Sequence, residues 1–239
     1  MGLGDTYRDG HQRLARLAMS LDETTLDRYV PLNPAWRIRD VIAHSVGVCE
    51  DVLAGNYPDS LDPKRQPDQA NARDAWTQAQ VDRRRDQPIR TVLAEWDLVA
   101  TKLEPLLNSD ALPAGSQLQT GPPFDVGCHL HDVRHALAQP GDRDAPITRL
   151  AFALGRGWLN LRLQSAQLPA LRLRTPDREW AVGEGPPGAT LAGDGFDLFR
   201  ALTGRRSRQQ VLGLDWDGAR MMYLDVLSPY PFPEQEVIE

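Results

Sequence analysis

Between Asp125 and His135 the chain carries Asp125, Cys128, His129, His131, Asp132 and His135. On a helix, residues three and four apart share a face. Asp125, His129 and Asp132 then form one polar stripe, continued by Ala136, while Cys128, His131 and His135 form a second, rotated away from it. Two imidazoles and a carboxylate converging on one point make a ligand set for a divalent cation that leaves room for water or substrate. Asp125 and His129 supply two such ligands from consecutive turns, so the third must come from another segment. His44 is the candidate, because it shares a helical line with Val41 and Val48 and should point inward. A buried neutral imidazole needs partners for its nitrogens, and a metal or a carboxylate would serve. The plainer reading of an aspartate and a histidine at this spacing is a solvated i,i+4 pair.

The segments that must position these groups can be read from periodicity. Residues 6–21 read as a helix on the stripe Tyr7, His11, Leu14, Ala18 and Leu21, with His11 a packed core or interface histidine. Residues 22–34 are a connector closed by Pro31 and Pro34. The helix bearing His44 starts near Ala35 and Trp36 and runs to about Ala54. Residues 55–88 are polar, with Pro58, Pro63, Pro67 and Pro88, and 68–84 read as an exposed helix with little apolar content. The charged run 82–86 is a solvated face or, alternatively, an anion clamp for a carboxylated cofactor. Residues 89–104 carry an unbroken stripe of Ile89, Val92, Leu93, Trp96, Val99 and Leu103, which Pro105 should end or kink. Residues 108–123 read as a loop leading into the central helix, 124–137, and a further helix covers 147–161.

Past residue 167 the period changes to two, with strands at 170–175, 179–182 and 189–192 and a short helix at 196–202 capped by Asp194. The expected fold class is α+β, a four-helix bundle with one extra helix over residues 1–166, followed by a small α/β domain over 167–239. The net charge of −6 argues against non-specific nucleic-acid binding. The chain has no apolar run long enough for a membrane span and no leader-like pattern at its N-terminus. Two cysteines, Cys49 and Cys128, are too few for a disulfide framework, and a cytoplasmic protein is expected. Cys128, beside a candidate ligand, is either reactive or inert packing.

Three motifs carry a family resemblance. The segment Trp36-Arg-Ile-Arg-Asp-Val-Ile-Ala-His44 resembles the W-x-x-R-D-V-x-x-H segment of the DinB-like, mycothiol-dependent maleylpyruvate isomerase family. Asp125-x-x-x-His129-x-x-Asp132-x-Arg134 resembles that family's second metal-bearing helix. Trp180-Ala-Val-Gly-Glu-Gly, together with Asp197-Leu-Phe-Arg-Ala-Leu-Thr-Gly-Arg205, is similar to its small C-terminal domain. The resemblance implies a DinB-like bundle in which His44, Asp125 and His129 bind a divalent metal, zinc or alternatively nickel. Asp132 then becomes a partner of a ligand or of an arginine. Asp125 stands where the best-studied branch has a glutamate, and the shorter arm would shift the metal's position or choice.

The activity this implies is thiol chemistry. A low-molecular-weight thiol, mycothiol on this resemblance, would lose its proton at the metal and attack a small electrophile, giving an isomerase or a thiol S-transferase. Arg205 and Arg206 are the candidates to hold a substrate carboxylate or a developing oxyanion. The expected partners are therefore the thiol and the electrophile, with no nucleic acid and no membrane, in a monomer or homodimer. Two rivals stand beside this. One is a non-catalytic carrier or regulator, binding a lipid or apolar ligand near Phe196 and Phe199. The other is a hydrolase using metal-bound water in place of the thiol.

Overall fold

Amphipathic stripes account for most of the first half of the computed structural model, which describes residues 2–56 and 69–239. Helix α1 (Leu3–Met19) buries Tyr7, Leu14 and Ala18, and begins earlier than the expected residue 6 because Asp5 caps the Gly2 N–H. The expected connector is not irregular. It holds a one-turn helix, α2 (Glu23–Leu26), and an antiparallel hairpin of β1 (Tyr29–Val30) and β2 (Asn33–Arg37). Trp36 therefore belongs to a strand. Helix α3 (Ile38–Ala54) starts after it, where Asp40 accepts from the Arg37 N–H at 2.9 Å, and ends on Gly55 at φ 67°.

Helix α4 (Gln69–Asp82) corrects a second expectation. Its C-terminal end is not exposed, since Gln80 and Val81 are buried and α4 packs on α3. The run that follows is not simply solvated either. Arg84 is buried and pairs with Glu50 and with Glu95, Arg83 faces Asp51, and Arg85 pairs with Asp82. With each guanidinium already opposite a carboxylate, the anion-clamp alternative has no support. Pro58, Pro63 and Pro67 lie outside the described residues.

Helix α5 (Ile89–Leu107) runs through Pro105, giving up one backbone bond near its end. Helix α6 (Gln117–Leu137) starts well before residue 124 and includes Pro122 and Pro123, so much of the expected loop is helix. Ser116 caps it, accepting from the Gln119 N–H. Helices α1, α3, α5 and α6 pack as the four-helix bundle: α1 and α3 each lie against both α5 and α6. Its core includes Tyr7, Ile42, Trp96, Leu103 and Leu130, all fully buried. Burial of such side chains contributes about 1.5–3 kcal/mol apiece.

Helix α7 (Pro146–Ser165) leads into β3 (Pro169–Arg174), β4 (Glu179–Val182) and β5 (Glu184–Ala192). Helix α8 (Gly195–Leu202) is capped by Asp194, which accepts from the Phe196 N–H at 2.8 Å. Helix α9 (Arg208–Gly213), β6 (Asp215–Gly218), a 3-10 turn and α10 (Leu224–Leu227) complete the chain. The sheet order is β4-β3-β5-β6, with β3 and β5 parallel and the outer pairs antiparallel. The chain divides into two compact units, one reaching Leu150 and the other Ala151–Ile238, so the division falls inside α7 rather than at the change of period near 167. Among the described residues no helix is long and apolar enough to cross a membrane.

Candidate metal centre

The three expected ligands meet in the first unit. His44 projects from α3, and Asp125 and His129 from consecutive turns of α6. His44 Nε2 lies 3.8 Å from Asp125 Oδ2. The His44 and His129 rings are 5.3 Å apart between centroids and nearly perpendicular, at 88°. Both imidazoles are buried, while the Asp125 side chain keeps 27% of its exposure.

Each imidazole has its Nδ1 opposite an acceptor. His44 Nδ1 is 2.7 Å from Gln80 Oε1, and His129 Nδ1 is 3.2 Å from Asp132 Oδ2. An Nδ1–H donated to such an oxygen leaves the Nε2 lone pair for a cation, as in metal-bound histidines generally. Asp132 is fully buried and also accepts from Asn33 Nδ2 at 3.1 Å. It thus partners His129, as one of the two expected roles had it.

Desolvation keeps His44 neutral. Burial, with a smaller contribution from the charge His129 would carry, pushes its pKa down to about 3 although Gln80 pulls the other way. The half-buried Trp36 stands beside both imidazoles, its ring 4.8 Å from the His44 ring and 6.4 Å from that of His129. The Trp36 indole N–H donates to Gln78 Oε1 at 3.1 Å, which ties the hairpin to α4.

The donor set suits a divalent cation in kind: two imidazoles, each with its Nδ1 facing an acceptor, and one carboxylate. In distance the His44–Asp125 pair is close to a ligand edge. A tetrahedral ion with arms of about 2.0–2.2 Å separates two ligand atoms by about 3.3–3.6 Å, against the 3.8 Å between His44 and Asp125. Among the described residues no three His, Cys, Asp or Glu side chains are grouped tightly enough to hold an ion as they stand. A bound ion would therefore draw Asp125 and His129 inward.

The remaining candidates are engaged elsewhere. His131 Nε2 is 2.8 Å from Thr148 Oγ1, whose hydroxyl in turn donates to the Asp142 carbonyl. His11 is buried against Trp96, with ring centroids 4.6 Å apart, as a core histidine. Cys128 is buried, which favours packing over reactivity. In the second unit Arg205 is buried and donates to the Thr203 carbonyl at 2.6 Å, while Arg206 is buried and pairs with Asp197 at 2.7 Å. Sequence reasoning missed Gln80, Asn33 and the position of Trp36 beside the imidazoles. Gln80 and Asn33 are uncharged amides recognisable only once the imidazole opposite them is known.

The sequence profile of the mycothiol maleylpyruvate isomerase N-terminal domain matches residues 7–133, more than half of the chain and all of the candidate ligands. The chain belongs to that family. Its fold is shared with two crystal structures of mycothiol-dependent maleylpyruvate isomerase. One, a histidine-to-alanine mutant, has a TM-score of 0.58 at 12% identity, with 90% of this chain and 91% of that chain covered. The other has a TM-score of 0.53 at 14% identity over the same shares. No curated protein matches this chain by sequence. At such identities the structural likeness speaks for the fold, and the family assignment rests on the profile.

Proposed function

We propose that this member of the mycothiol maleylpyruvate isomerase family is a metal-dependent enzyme of thiol chemistry, acting on a small electrophile as an isomerase or an S-transferase. The observation that carries the reading is the pairing of both Nδ1 atoms with acceptors while His44 Nε2 faces Asp125. His44, Asp125 and His129 would hold the ion, zinc or alternatively nickel. Such a cation, when bound, supplies the positive charge that keeps a nearby thiol in its thiolate form at neutral pH.

The chain's own contributions follow from the geometry. Gln80 and Asp132 each accept the proton of the Nδ1 they face, which leaves Nε2 as the nitrogen that would present a lone pair to the cation. The buried rings exclude water, which strengthens electrostatic interactions at the site. The cosubstrate thiolate then adds to the electrophilic carbon. The displaced π pair moves onto the conjugated oxygen as an enolate; bond rotation and return of that pair with expulsion of the thiolate gives the isomer, and protonation of the enolate carbon from water with the thiolate retained gives the S-conjugate.

The carrier reading gains no support at Phe196 and Phe199, which are buried and meet edge to face at 6.3 Å. The test is elemental analysis of protein purified without chelator or affinity metal, alongside His129→Ala. One metal per chain in the parent and its loss in the variant are expected, together with turnover that requires the thiol. Undiminished metal in His129→Ala would remove the ligand assignment. Turnover without thiol would favour the hydrolase.

A further inference from the structure

Gln80 is fully buried on α4, a helix whose composition gives no reason to bury an amide. Its Oε1 lies 2.7 Å from His44 Nδ1, and its Nε2 donates to Asp51 Oδ2 at 2.6 Å. Asp51 is itself buried, accepts from Asn56 Nδ2 at 3.0 Å and faces the Arg83 guanidinium at 3.3 Å. A carboxylate opposite an arginine only accepts hydrogen bonds. It therefore decides which way the amide points, NH2 toward Asp51 and carbonyl toward His44. An imidazole nitrogen opposite a carbonyl oxygen can only donate to it.

From this we infer that Gln80, oriented by Asp51, is a positioning residue that fixes the proton of neutral His44 on Nδ1 and so aims the Nε2 lone pair at Asp125. The functional meaning rests on the proposed metal centre, whereas the proton placement stands without it. Asp132 does the equivalent for His129 from within α6, three residues along. The His44 proton, by contrast, is set by a different helix, so the docking of α4 on α3 governs that ligand.

Gly47 provides an independent sign that α3 is shaped for this contact. A Cβ at position 47 would lie 2.4 Å from Gln80 Cβ and 2.5 Å from its Cγ, closer than side chains approach. Gly47 stands one turn beyond His44 on α3. Its missing side chain is the space through which the amide reaches the imidazole.

The test is the ring-nitrogen spectrum of 15N-histidine-labelled, metal-free, full-length protein, with zinc affinity measured by chelator competition. In the parent, His44 should show the Nδ1–H tautomer. In Gln80→Leu that single tautomer should be lost and the zinc Kd raised about 10–100-fold, the usual effect of removing a ligand's hydrogen-bond partner. The double variant Gln80→Glu with Asp51→Asn reverses the donor and acceptor between the two side chains but still presents an acceptor to His44. It should recover the Nδ1–H tautomer and a Kd within about threefold of the parent. Gly47→Ala should resemble Gln80→Leu. The inference falls if His44 in the parent is protonated on Nε2, if Gln80→Leu leaves its tautomer unchanged, or if the folded double variant fails to restore it. A parent that binds no zinc would instead remove the proposed function, with the tautomer still deciding the role of Gln80.

Discussion

Asp125→Glu tests the geometry of the centre directly. Asp125 Oδ2 is 3.8 Å from His44 Nε2, within about half an ångström of the ligand edge of a tetrahedral ion. A slight rotation of the aspartate closes that gap. A glutamate adds one C–C bond, about 1.5 Å of reach, and so overshoots by about 1 Å. The side chain is 27% exposed, so the excess arm can bow outward rather than clash. Bowing costs about 0.5–1.5 kcal/mol of off-rotamer strain and up to about 0.5 kcal/mol for fixing one more torsion. The sum, about 0.5–2 kcal/mol, corresponds to a zinc Kd weakened about 2–30-fold.

The assay is competition between metal-free protein and a chromophoric chelator at pH 7, with far-ultraviolet circular dichroism to show that the variant is folded. Asp125→Asn keeps the arm length and loses the charge, so it should weaken zinc at least as much as the glutamate does. A glutamate that left the affinity unchanged or tightened it would refute the reasoning. It would mean that the backbone spacing between α3 and α6 suits a longer arm and that the 3.8 Å separation is not a ligand edge.

Other consequences concern stability and reactivity. Glycine to alanine should act with opposite sign at two helical positions, although both gain about 1 kcal/mol of helix propensity. At Gly157 nothing lies within 4 Å of the new Cβ, so the gain should appear in full. At Gly10 the Cβ would meet Ile147 Cγ1 at 2.5 Å and Val126 Cγ1 at 2.9 Å. Crowding two stiff, buried side chains costs about 1–3 kcal/mol. Calorimetry that resolves the two units should show the Gly157→Ala transition rising and the Gly10→Ala transition level or lower, and a rise at Gly10 would contradict the packing. Burial pushes the Asp142 carboxyl up, but hydrogen bonds and charge from Arg134 and Arg13 outweigh it and hold the group below the usual aspartate range. A depressed folded-state pKa gives stability that is present above about pH 4 and lost as the pH falls through the folded value. Denaturant titrations at pH 3 and pH 6 should therefore show a smaller acid loss in Asp142→Asn than in the parent. Burial drives the Cys49 thiol up to about 12, and Cys128 is buried as well. Neither should react with iodoacetamide at pH 8 until the protein is unfolded, and labelling of the native protein would contradict their burial.

The sequence disclosed what periodicity encodes and hid what only tertiary contact creates. The helical stripes of α1, α5 and α7 were readable because each buries mainly one face, whereas α3 is buried on nearly every side. The inward line of His44 and the shared line of Asp125 and His129 were readable from spacing, since residues on one helical line point the same way. The hairpin Tyr29–Arg37 escaped because β1 has two residues, too few for any period, and prolines at 31 and 34 read as connector. The first turns of α6 escaped because Pro122 and Pro123 outweighed a helix-start signal that was present. Ser116 with Gln119 three residues on is a capping-box pattern, and the structure uses Ser116 as the cap.

Gln80 shows most clearly why the rest was hidden. Amides have no place in an apolar stripe, and α4 has little stripe to offer. Yet the requirement was implicit from the moment His44 was placed inward, because a buried imidazole must find partners for its nitrogens. The partner has to be an acceptor that approaches α3 near residue 44, and the smallest residue on that stretch, Gly47, is where a close approach costs least. The glycine thus marked the position of the contact while leaving its partner unnamed. A side chain's absence can be read from one sequence, but what fills the space depends on which helix docks there.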